Sequence, residues 1–276
     1  MTLVSEPAAT SAPVTLTVSD GVALIGLSRP EQGNAIDLPM ARALRDTAAE
    51  VDSLSEVGAV VLFGHGAQFC VGGDLREFAA ARAPGEFIAE LAGTAHEALL
   101  GLRALTVPLV SAVHGACAGG GIGFALAADI VLAERTSRFL VAYTAAGLSP
   151  DCGVSWQLTR RLGPAVAGDL ILTNRPLNGE EAARLGLVSR AVEPGTAYEE
   201  ALRLARSLAD GPREALTRSR RLIHSAAITP LEQHLQHEAE SITALIQTLD
   251  GSEGVAAFLA KRRPNFTRPH RGVRTS

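Results

Sequence analysis

The chain has 276 residues, and 47% of them are hydrophobic, which is enough to bury a substantial core. Its formal net charge of −4 argues against a general binder of nucleic acid or of membrane surfaces, because such proteins are usually basic. The widely spaced Cys70, Cys117 and Cys152 fit neither a disulfide framework nor a zinc pattern, so we expect a soluble protein of the reducing cytoplasm.

Residues 1–13 are small, polar and rich in alanine and proline. They contain neither a basic n-region nor an apolar run, so they predict a flexible leader rather than a signal peptide. No later segment reaches the roughly 20 consecutive apolar residues that a membrane span needs. We therefore expect no membrane association.

Strands alternate with helices over the first part of the chain, which is typical of an α/β fold with parallel crossovers. The turn pair Asp20-Gly21 separates the first two β-rich runs, and Asp37 occupies the position of a helix N-cap. In chain order, the predicted elements are strands Val14–Val18 and Val22–Leu27, a helix from Leu38 to about Leu54, strand Val57–Phe63, a helix from about Glu86 to Leu105, strand Pro108–Val113, helix Phe124–Ala128 and strand Ile130–Ala133.

After about Ser155 the pattern changes to helices alone. The run Asn178-Gly-Glu-Glu181 resembles a capping box at the start of a helix. The further predicted helices are Ala197–Leu208, Arg213–Ala226, Leu231–Leu249 and Glu253–Arg262. We therefore predict an α/β core over residues 14–195 and a helical C-terminal region over residues 196–276.

Two glycine-rich segments, 69–74 and 115–123, each follow an apolar strand. Glycine allows a tight turn and lets a ligand approach main-chain N–H groups closely, and a helix N-terminus adds partial positive charge. Two such loops could direct N–H donors at one oxygen and form an oxyanion hole. For either loop alone, close packing of a helix on a strand is the alternative, and neither loop matches a nucleotide-binding fingerprint.

Several motifs, in their order and spacing, resemble the crotonase (enoyl-CoA hydratase/isomerase) superfamily. They are Arg29-Pro30 with Asn34-Ala35, Phe69-Cys-Val-Gly-Gly-Asp74, Gly115-Ala-Cys-Ala-Gly-Gly-Gly-Ile-Gly123, Leu148-Ser-Pro-Asp151, Leu185-Gly-Leu-Val-Ser189 and Phe258-Leu-Ala-Lys-Arg-Arg-Pro-Asn-Phe266. The resemblance implies a spiral of ββα units with C-terminal helices that assemble trimers or dimers of trimers. It also implies an acyl-CoA thioester substrate, with coenzyme A as part of that substrate, no separate cofactor and no metal.

The resemblance implies roles for particular residues. Gly73 and Gly120 would supply the N–H groups that hold the thioester carbonyl and stabilise an enolate. Arg29, Arg76 and Lys261 would contact CoA, the lysine often across a subunit interface. For Arg29 and Arg76, the alternative is an ordinary solvated surface charge.

The chain departs from the hydratase pattern at two positions. Hydratases of the superfamily use two glutamates to position and deprotonate a water molecule, and Gly123 and Tyr143 stand at those positions here. Glycine has no titratable group, and the pKa of tyrosine is ordinarily about 10. Neither residue replaces a carboxylate, so we expect hydration to be poor or absent.

Asp151 is a carboxylate at a position that several branches of the superfamily use for catalysis. In dienoyl-CoA and oxepin-forming isomerases, an aspartate there moves a proton between carbons; in 4-chlorobenzoyl-CoA dehalogenases, it attacks the aromatic ring. His96 and Tyr143 resemble pocket positions of the dehalogenase branch. The alternatives are a helix N-cap for Asp151 and a solvent-facing or hydrogen-bonded role for His96.

We therefore predict double-bond isomerisation with proton transfer at Asp151, and Tyr143, His96 and Gly123 as substrate-pocket residues. Three alternatives stay open: a hydratase with a different acid–base pair, an aryl-CoA dehalogenase or hydrolase-like enzyme, and a non-catalytic acyl-CoA-binding member. The last stays open because a fold does not by itself establish an activity.

Overall fold

The computed structural model describes residues 11–266 and the backbone of residues 274–275. The strands in this part of the chain are β1 Val14–Ser19, β2 Val22–Leu27, β3 Ala59–Gly64, β4 Leu109–Val113, β5 Ala116–Ala118, β6 Ile130–Glu134, β7 Arg138–Leu140, β8 Leu177–Asn178, β9 Arg190–Val192 and β10 Arg274–Thr275. The helices are α1 Leu38–Ser53, α2 Leu75–Ala80, α3 Pro84–Ala104, α4 Gly120–Leu126, α5 Val154–Thr173, α6 Gly179–Leu185, α7 Ala197–Ala209, α8 Arg213–Ala226, α9 Leu231–Ile246 and α10 Leu249–Leu259.

The main sheet has the strand order β10-β1-β2-β3-β4-β6-β9. β1 and β2 form an antiparallel hairpin, and Asp20 and Gly21 turn it with φ values of 53° and 75°, as a tight two-residue turn requires. From β2 to β9 all neighbouring strands of this sheet are parallel. The predicted α/β class with parallel crossovers is confirmed.

Both faces of the main sheet are covered. Along β2, Ala23 and Ile25 face the cluster that α1 and α3 complete, whereas Val22 and Leu24 face the opposite cluster with α7. Parallel strands covered on both faces are apolar along their whole length, which is why β2 and β3 lack a polar alternation. The predicted domain boundary at residue 195 lies between β9 and α7, and α7 packs on the sheet.

A second, smaller sheet joins β5, β7 and β8. β5 and β7 are parallel, and β8 is antiparallel to β7. The backbones of Cys70 and Cys117, whose thiols are free, form an isolated parallel β-bridge that connects β5 to the first glycine-rich segment. This bridge brings the two glycine-rich segments side by side.

The predicted start of α4 is wrong, because the helix begins at Gly120 rather than at Phe124. Glycine is a poor helix former, so local propensity alone favours a later start. Packing overrides propensity here, since a Cβ atom on Gly121 would lie 2.6 Å from the Cys70 carbonyl oxygen. The first turn of α4 is therefore glycine-rich because it presses against the first segment.

The prediction of helices alone after about Ser155 is also wrong, because β8, β9 and β10 occur there. Strands of two and three residues are too short to show a periodic pattern, and these form by pairing with β7, β6 and β1, respectively. The predicted helix Leu231–Leu249 ends earlier, at Ile246, because Thr248 caps α10 by accepting from the Gly251 N–H at 3.0 Å. The predicted helix start at Asn178 is confirmed, since Asn178 Oδ1 accepts from the Glu181 N–H at 2.7 Å, whereas the Glu181 carboxylate pairs with Arg175 rather than completing a capping box.

Residues 1–10 of the predicted leader lie outside the described residues. Among the residues that are described, no helix is both long enough and apolar enough to cross a membrane.

Candidate active site

The two glycine-rich segments are in direct contact. Ala118 N donates to Cys70 O at 2.8 Å. A Cβ atom on Gly72 would lie 3.0 Å from Ala118 O and 3.3 Å from the Cα atom of Gly119. Gly72 and Gly119 adopt φ values of 95° and 48°, in the region that favours glycine. Glycine at both positions is therefore what allows the segments to approach this closely.

Gly73 and Gly120 present N–H groups at this contact. Ile36 N donates to Gly72 O at 2.7 Å and Asp74 N donates to Ile36 O at 3.0 Å, so the N–H group of Gly73 between them is turned away from Ile36. Gly120 is the first residue of α4, where N–H groups have no intrahelical acceptor. Within the described part of the chain, neither N–H group has an acceptor. The arrangement is compatible with the predicted oxyanion hole.

Asp151 and Tyr143 form a hydrogen-bonded pair beside the second segment. The Tyr143 hydroxyl donates a short hydrogen bond to Asp151 Oδ1, and a Cβ atom on Gly119 would lie 3.9 Å from that hydroxyl. Burial and the charge of Asp151 raise the pKa of Tyr143 well above its ordinary value. The phenol therefore stays protonated at neutral pH and acts as a donor to the carboxylate.

Backbone strain lies on both sides of this pair. Ala142, next to Tyr143, has a φ of 65°, and Cys152, next to Asp151, has a φ of 46°. A non-glycine residue held in this region costs on the order of 1–3 kcal/mol and persists only where the surrounding structure imposes it. Asp151 is not the N-cap of α5, because that position belongs to Gly153 and has no side-chain cap. The carboxylate therefore does not cap α5, and it accepts the hydrogen bond from Tyr143 instead.

Gly123 packs against the turn that carries Asp151. A Cβ atom on Gly123 would lie 2.1 Å from Cys152 O and 2.9 Å from Cys152 Cβ. Gln157 Nε2 donates to Gly123 O at 3.1 Å and holds the start of α5 against α4. No side chain fits at Gly123 in this conformation, and a glutamate would displace the turn.

His96 projects from α3 to the same turn. Its Nε2 accepts a hydrogen bond from the Cys152 N–H at 3.2 Å, so the neutral ring carries its proton on Nδ1. One ligand atom each from His96, Asp151 and Cys152 lie within 4.8 Å of one another, which makes them a geometrically suitable metal-ligand set. Burial and then the charge of Asp151 raise the pKa of the Cys152 thiol well above its ordinary value, which disfavours the thiolate that a metal requires.

Arg29, one of the predicted CoA contacts, is engaged within the protein. Its guanidinium lies 3.1 Å from Asp37 and 3.3 Å from Asp74 and donates to Ala35 O. These contacts tie the loop before α1 to the loop that carries Gly73. Arg29 thus supports the first glycine-rich segment.

Arg76 and Lys261, the other predicted CoA contacts, are both exposed. Arg76 lies in the first turn of α2, and its N–H donates to Asp74 Oδ1 at 3.2 Å. Lys261 follows α10 with a φ of 51°, and its N–H donates to Phe258 O at 3.1 Å. Arg76 therefore adjoins the Gly73 loop, whereas Lys261 stands at the end of the C-terminal helices.

Two residues of this site are absent from the sequence-based prediction. A Cβ atom on Gly73 would lie 2.7 Å from Phe78 Cζ, and one on Gly120 would lie 3.1 Å from Cys152 Sγ, so Phe78 and Cys152 cover the two glycines. Phe78 belongs to the six-residue α2, which shows no periodic pattern. The one sequence feature that points to Cys152 is its position directly after Asp151.

Comparisons with known proteins identify the family of the chain. A sequence model of the family described as enoyl-CoA hydratase/isomerase matches residues 17–269. The chain is 40% identical over 252 residues to a Rhodobacter capsulatus protein named "Probable enoyl-CoA hydratase", with 91% of this chain and 96% of that protein covered. It is 34% identical over 252 residues to the 1,2-epoxyphenylacetyl-CoA isomerase of Escherichia coli, with the same coverage of 91% and 96%.

A solved structure confirms the fold. The crystal structure of an enoyl-CoA hydratase from Polaromonas sp. JS666 superposes with a TM-score of 0.88 at 34% identity and covers 92% of this chain and 99% of that one. The predicted crotonase-type α/β fold is therefore confirmed. Sequence, fold and the contact between the two glycine-rich segments lead to one conclusion: the chain belongs to the enoyl-CoA hydratase/isomerase family of the crotonase superfamily.

Proposed function

We propose that the protein is an enoyl-CoA isomerase that moves a carbon–carbon double bond by proton transfer at Asp151. The observation that carries the proposal is the position of this carboxylate: its partner Tyr143 adjoins Gly119 and its neighbour Cys152 adjoins Gly120. A carboxylate is therefore available beside the segment that carries the Gly120 N–H. Its basic form accepts the hydrogen bond from Tyr143.

In the proposed reaction, the N–H groups of Gly73 and Gly120 donate to the thioester carbonyl oxygen. Asp151 removes a proton from a carbon of the acyl chain, and the electron pair moves toward the oxygen to form an enolate. The Asp151 carboxyl proton exchanges with solvent, and Asp151 then protonates a different carbon as the double bond shifts. The atoms balance without water or an oxidant, and removal of one oxyanion donor typically costs ~10²–10³ in rate.

Hydration is the competing outcome, since several relatives carry hydratase names. The family's hydratases need two carboxylates around one water molecule. Here Tyr143 remains protonated, and the volume beside Gly123 is filled by the Cys152 carbonyl. These two observations favour isomerisation over hydration.

A second candidate is aryl-CoA chemistry with Asp151 as nucleophile. The specific observation in its favour is His96, whose ring lies within 4.8 Å of the Asp151 carboxylate and could activate a water for release of an aryl ester. The similarity to 1,2-epoxyphenylacetyl-CoA isomerase also points to aromatic acyl groups. Formation of a covalent aryl ester on Asp151 would distinguish this reaction from isomerisation.

The deciding experiment is product analysis by mass spectrometry and NMR in deuterated buffer, with 2-enoyl-, 3-enoyl-, dienoyl- and aryl-CoA esters. We expect a shifted double bond, incorporated deuterium and no gain of water. Asp151→Asn should lose this turnover by at least about 10² while it binds CoA esters as tightly as the wild type.

Three results would contradict the proposal. Steady formation of 3-hydroxyacyl-CoA would identify a hydratase with a different acid–base pair. Tight binding of every ester without turnover would identify a non-catalytic acyl-CoA-binding member. Unchanged isomerisation in Asp151→Asn would refute the role of this residue.

We further propose that the enzyme is a cytoplasmic homotrimer, or a dimer of trimers, assembled through α8–α10. In this arrangement Arg76 and Lys261 contact the CoA moiety, and the lysine comes from a neighbouring subunit. Arg29 holds the Gly73 loop next to the CoA moiety. CoA enters as part of the substrate, with no separate cofactor.

A further inference from the structure

A cavity of about 490 Å³ opens between the end of α3, the start of α5 and α8. Its wall includes Arg103 from α3, Trp156 from α5, and Arg220 and Arg221 from α8. It lies outside the group formed by Gly73, Gly120 and Asp151. The sequence motifs give it no role.

The cavity wall is strongly cationic and partly preorganised. Arg103 in the wall and Arg160 next to the wall both stack on the Trp156 indole, because their guanidinium carbons lie 5.4 Å and 4.7 Å from the centre of its ring. Stacking of this kind orders an arginine side chain before a ligand arrives. The loss of side-chain freedom on binding is correspondingly smaller.

The positive charge exceeds the nearby negative charge. Arg220 pairs with Asp129 at 2.6 Å, whereas Arg103, Arg160 and Arg221 form no ion pair within the described part of the chain. Burial, followed by the charge of Arg220, lowers the pKa of Arg103, which shows how closely these cations approach one another. An anion in the cavity would relieve this repulsion.

One face of α3 connects the proposed reaction centre with the cavity. His96, Leu100 and Arg103 follow one another at spacings of four and three residues, so they share one face of α3. His96 contacts the Asp151 turn, Leu100 is 62% exposed, and Arg103 lines the cavity. The two helical turns from His96 to Arg103 span about 10 Å. This face therefore runs from a polar reaction site, over an apolar side chain, to a cationic end.

We propose that the cavity binds a carboxylate at the far end of the acyl chain, so that the preferred substrates are CoA thioesters of medium-length dicarboxylic acids. The inference rests on the proposed function, since it assumes that the acyl chain extends from Asp151 along α3. Leu100 contacts the methylene chain, and Arg103 and Arg160 hold the terminal carboxylate. Arginine is suited to this role because its planar fork matches a carboxylate.

The test compares binding of suberyl-CoA with octanoyl-CoA, two saturated esters that differ only in a terminal carboxylate and cannot be isomerised. Trp156 is the single tryptophan of the chain, so its fluorescence reports on this cavity alone. We expect suberyl-CoA to bind at least about tenfold more tightly and to change the Trp156 emission, with a smaller difference at high salt. Succinyl-CoA is too short to reach the cavity and should gain nothing over butyryl-CoA.

The variants Arg103→Met and Arg160→Met keep much of the apolar stem and remove the charge. Each should bring the affinity for suberyl-CoA down to that for octanoyl-CoA. The control Arg203→Met removes the same charge from α7, which packs on the other face of the sheet, and should keep the tenfold preference. Equal affinities in the wild type, or a preference that survives in both cavity variants, would overturn the inference.

Binding of saturated esters does not depend on turnover. If the wild type showed no isomerase activity, the proposed reaction would be refuted. A measured preference for suberyl-CoA over octanoyl-CoA would still support the carboxylate site. Conversely, a failed carboxylate preference would leave the isomerase assignment untouched. The two proposals fail separately.

Discussion

At the residue scale, Gly123 packs directly against Cys152. The Cys152 carbonyl sits where the first atom of any side chain at position 123 would stand. The same turn holds Asp151 toward Tyr143 and donates the Cys152 N–H to His96 Nε2. The absence of a side chain at Gly123 therefore shapes the position of the carboxylate.

Gly123→Ala tests this packing. The added methyl must push the 151–152 turn away, so we expect a loss of about 1–3 kcal/mol in the free energy of unfolding and a large loss of turnover. Chemical denaturation and the isomerase assay measure the two effects. As a control, Gly168→Ala in α5 meets no atom within 4 Å and should gain up to about 1 kcal/mol. Full activity in Gly123→Ala would show that the turn is not held in this way.

Tyr143→Phe tests the hydrogen bond to Asp151. A hydrogen bond to a charged group contributes about 1.5–3 kcal/mol, so we expect kcat/KM to fall by about 10- to 100-fold. The other tyrosine of the chain, Tyr198, lies against Phe63, and Tyr198→Phe should keep full activity. If Tyr143→Phe were as active as Tyr198→Phe, the Tyr143 hydroxyl would have no role in the reaction.

Arg220 links several structural elements. From α8 it pairs with Asp129 at 2.6 Å and donates to the carbonyls of Leu105 and Arg103, at the C-terminal end of α3. Those carbonyls have no intrahelical donor, and a cation at a helix C-terminus is favourable. The arginine therefore holds α8 against the helix that carries His96.

Arg220→Met should be strongly destabilising, because it removes the guanidinium from the largely buried Asp129 and leaves that carboxylate with only His224 as an ion-pair partner, at 3.0 Å. Breaking a buried pair of this kind costs about 3–5 kcal/mol. In the same helix, Arg218 forms a more exposed pair with Glu214, and Arg218→Met should cost no more than about 0.5 kcal/mol. Equilibrium unfolding of both variants checks the contrast, and similar losses would contradict it.

At the scale of the whole molecule, the C-terminal helices leave much apolar surface uncovered. Phe258 is 83% exposed and Leu249 is 82% exposed. Other exposed apolar side chains in α8–α10 and the α8–α9 connection are Ile223, Ile228, Leu231, Leu235, Ile242, Ile246, Val255 and Leu259. Monomeric proteins rarely leave contiguous apolar patches of this kind uncovered. The surface therefore favours the proposed self-association.

Phe258→Glu should weaken that association, because it places a charge where an apolar contact is expected. We expect size-exclusion chromatography with light scattering to show a shift toward smaller species. Ser53→Glu adds the same charge at the exposed end of α1 and should leave the mass unchanged. A wild-type protein that is monomeric at all concentrations would refute the assembly.

The sequence by itself determined the class of fold, the family and the identity of several candidate site residues. These features depend on local properties: the apolar runs of β2 and β3, the turn pair Asp20-Gly21, and the glycines at positions 72 and 119. Each can be read from neighbouring residues, because turn geometry and strand burial restrict which residue types fit. The presence of Asp151 and the absence of glutamate at Gly123 are likewise visible in the sequence.

Only the tertiary structure decided which side chains meet. It brought Tyr143 to Asp151, His96 to the Cys152 N–H, and the pair Arg103 and Arg160 to Trp156. It also placed β8 and β9, which form by pairing with distant strands. Contacts between residues far apart along the chain depend on how whole elements pack, and local sequence carries little information about that packing.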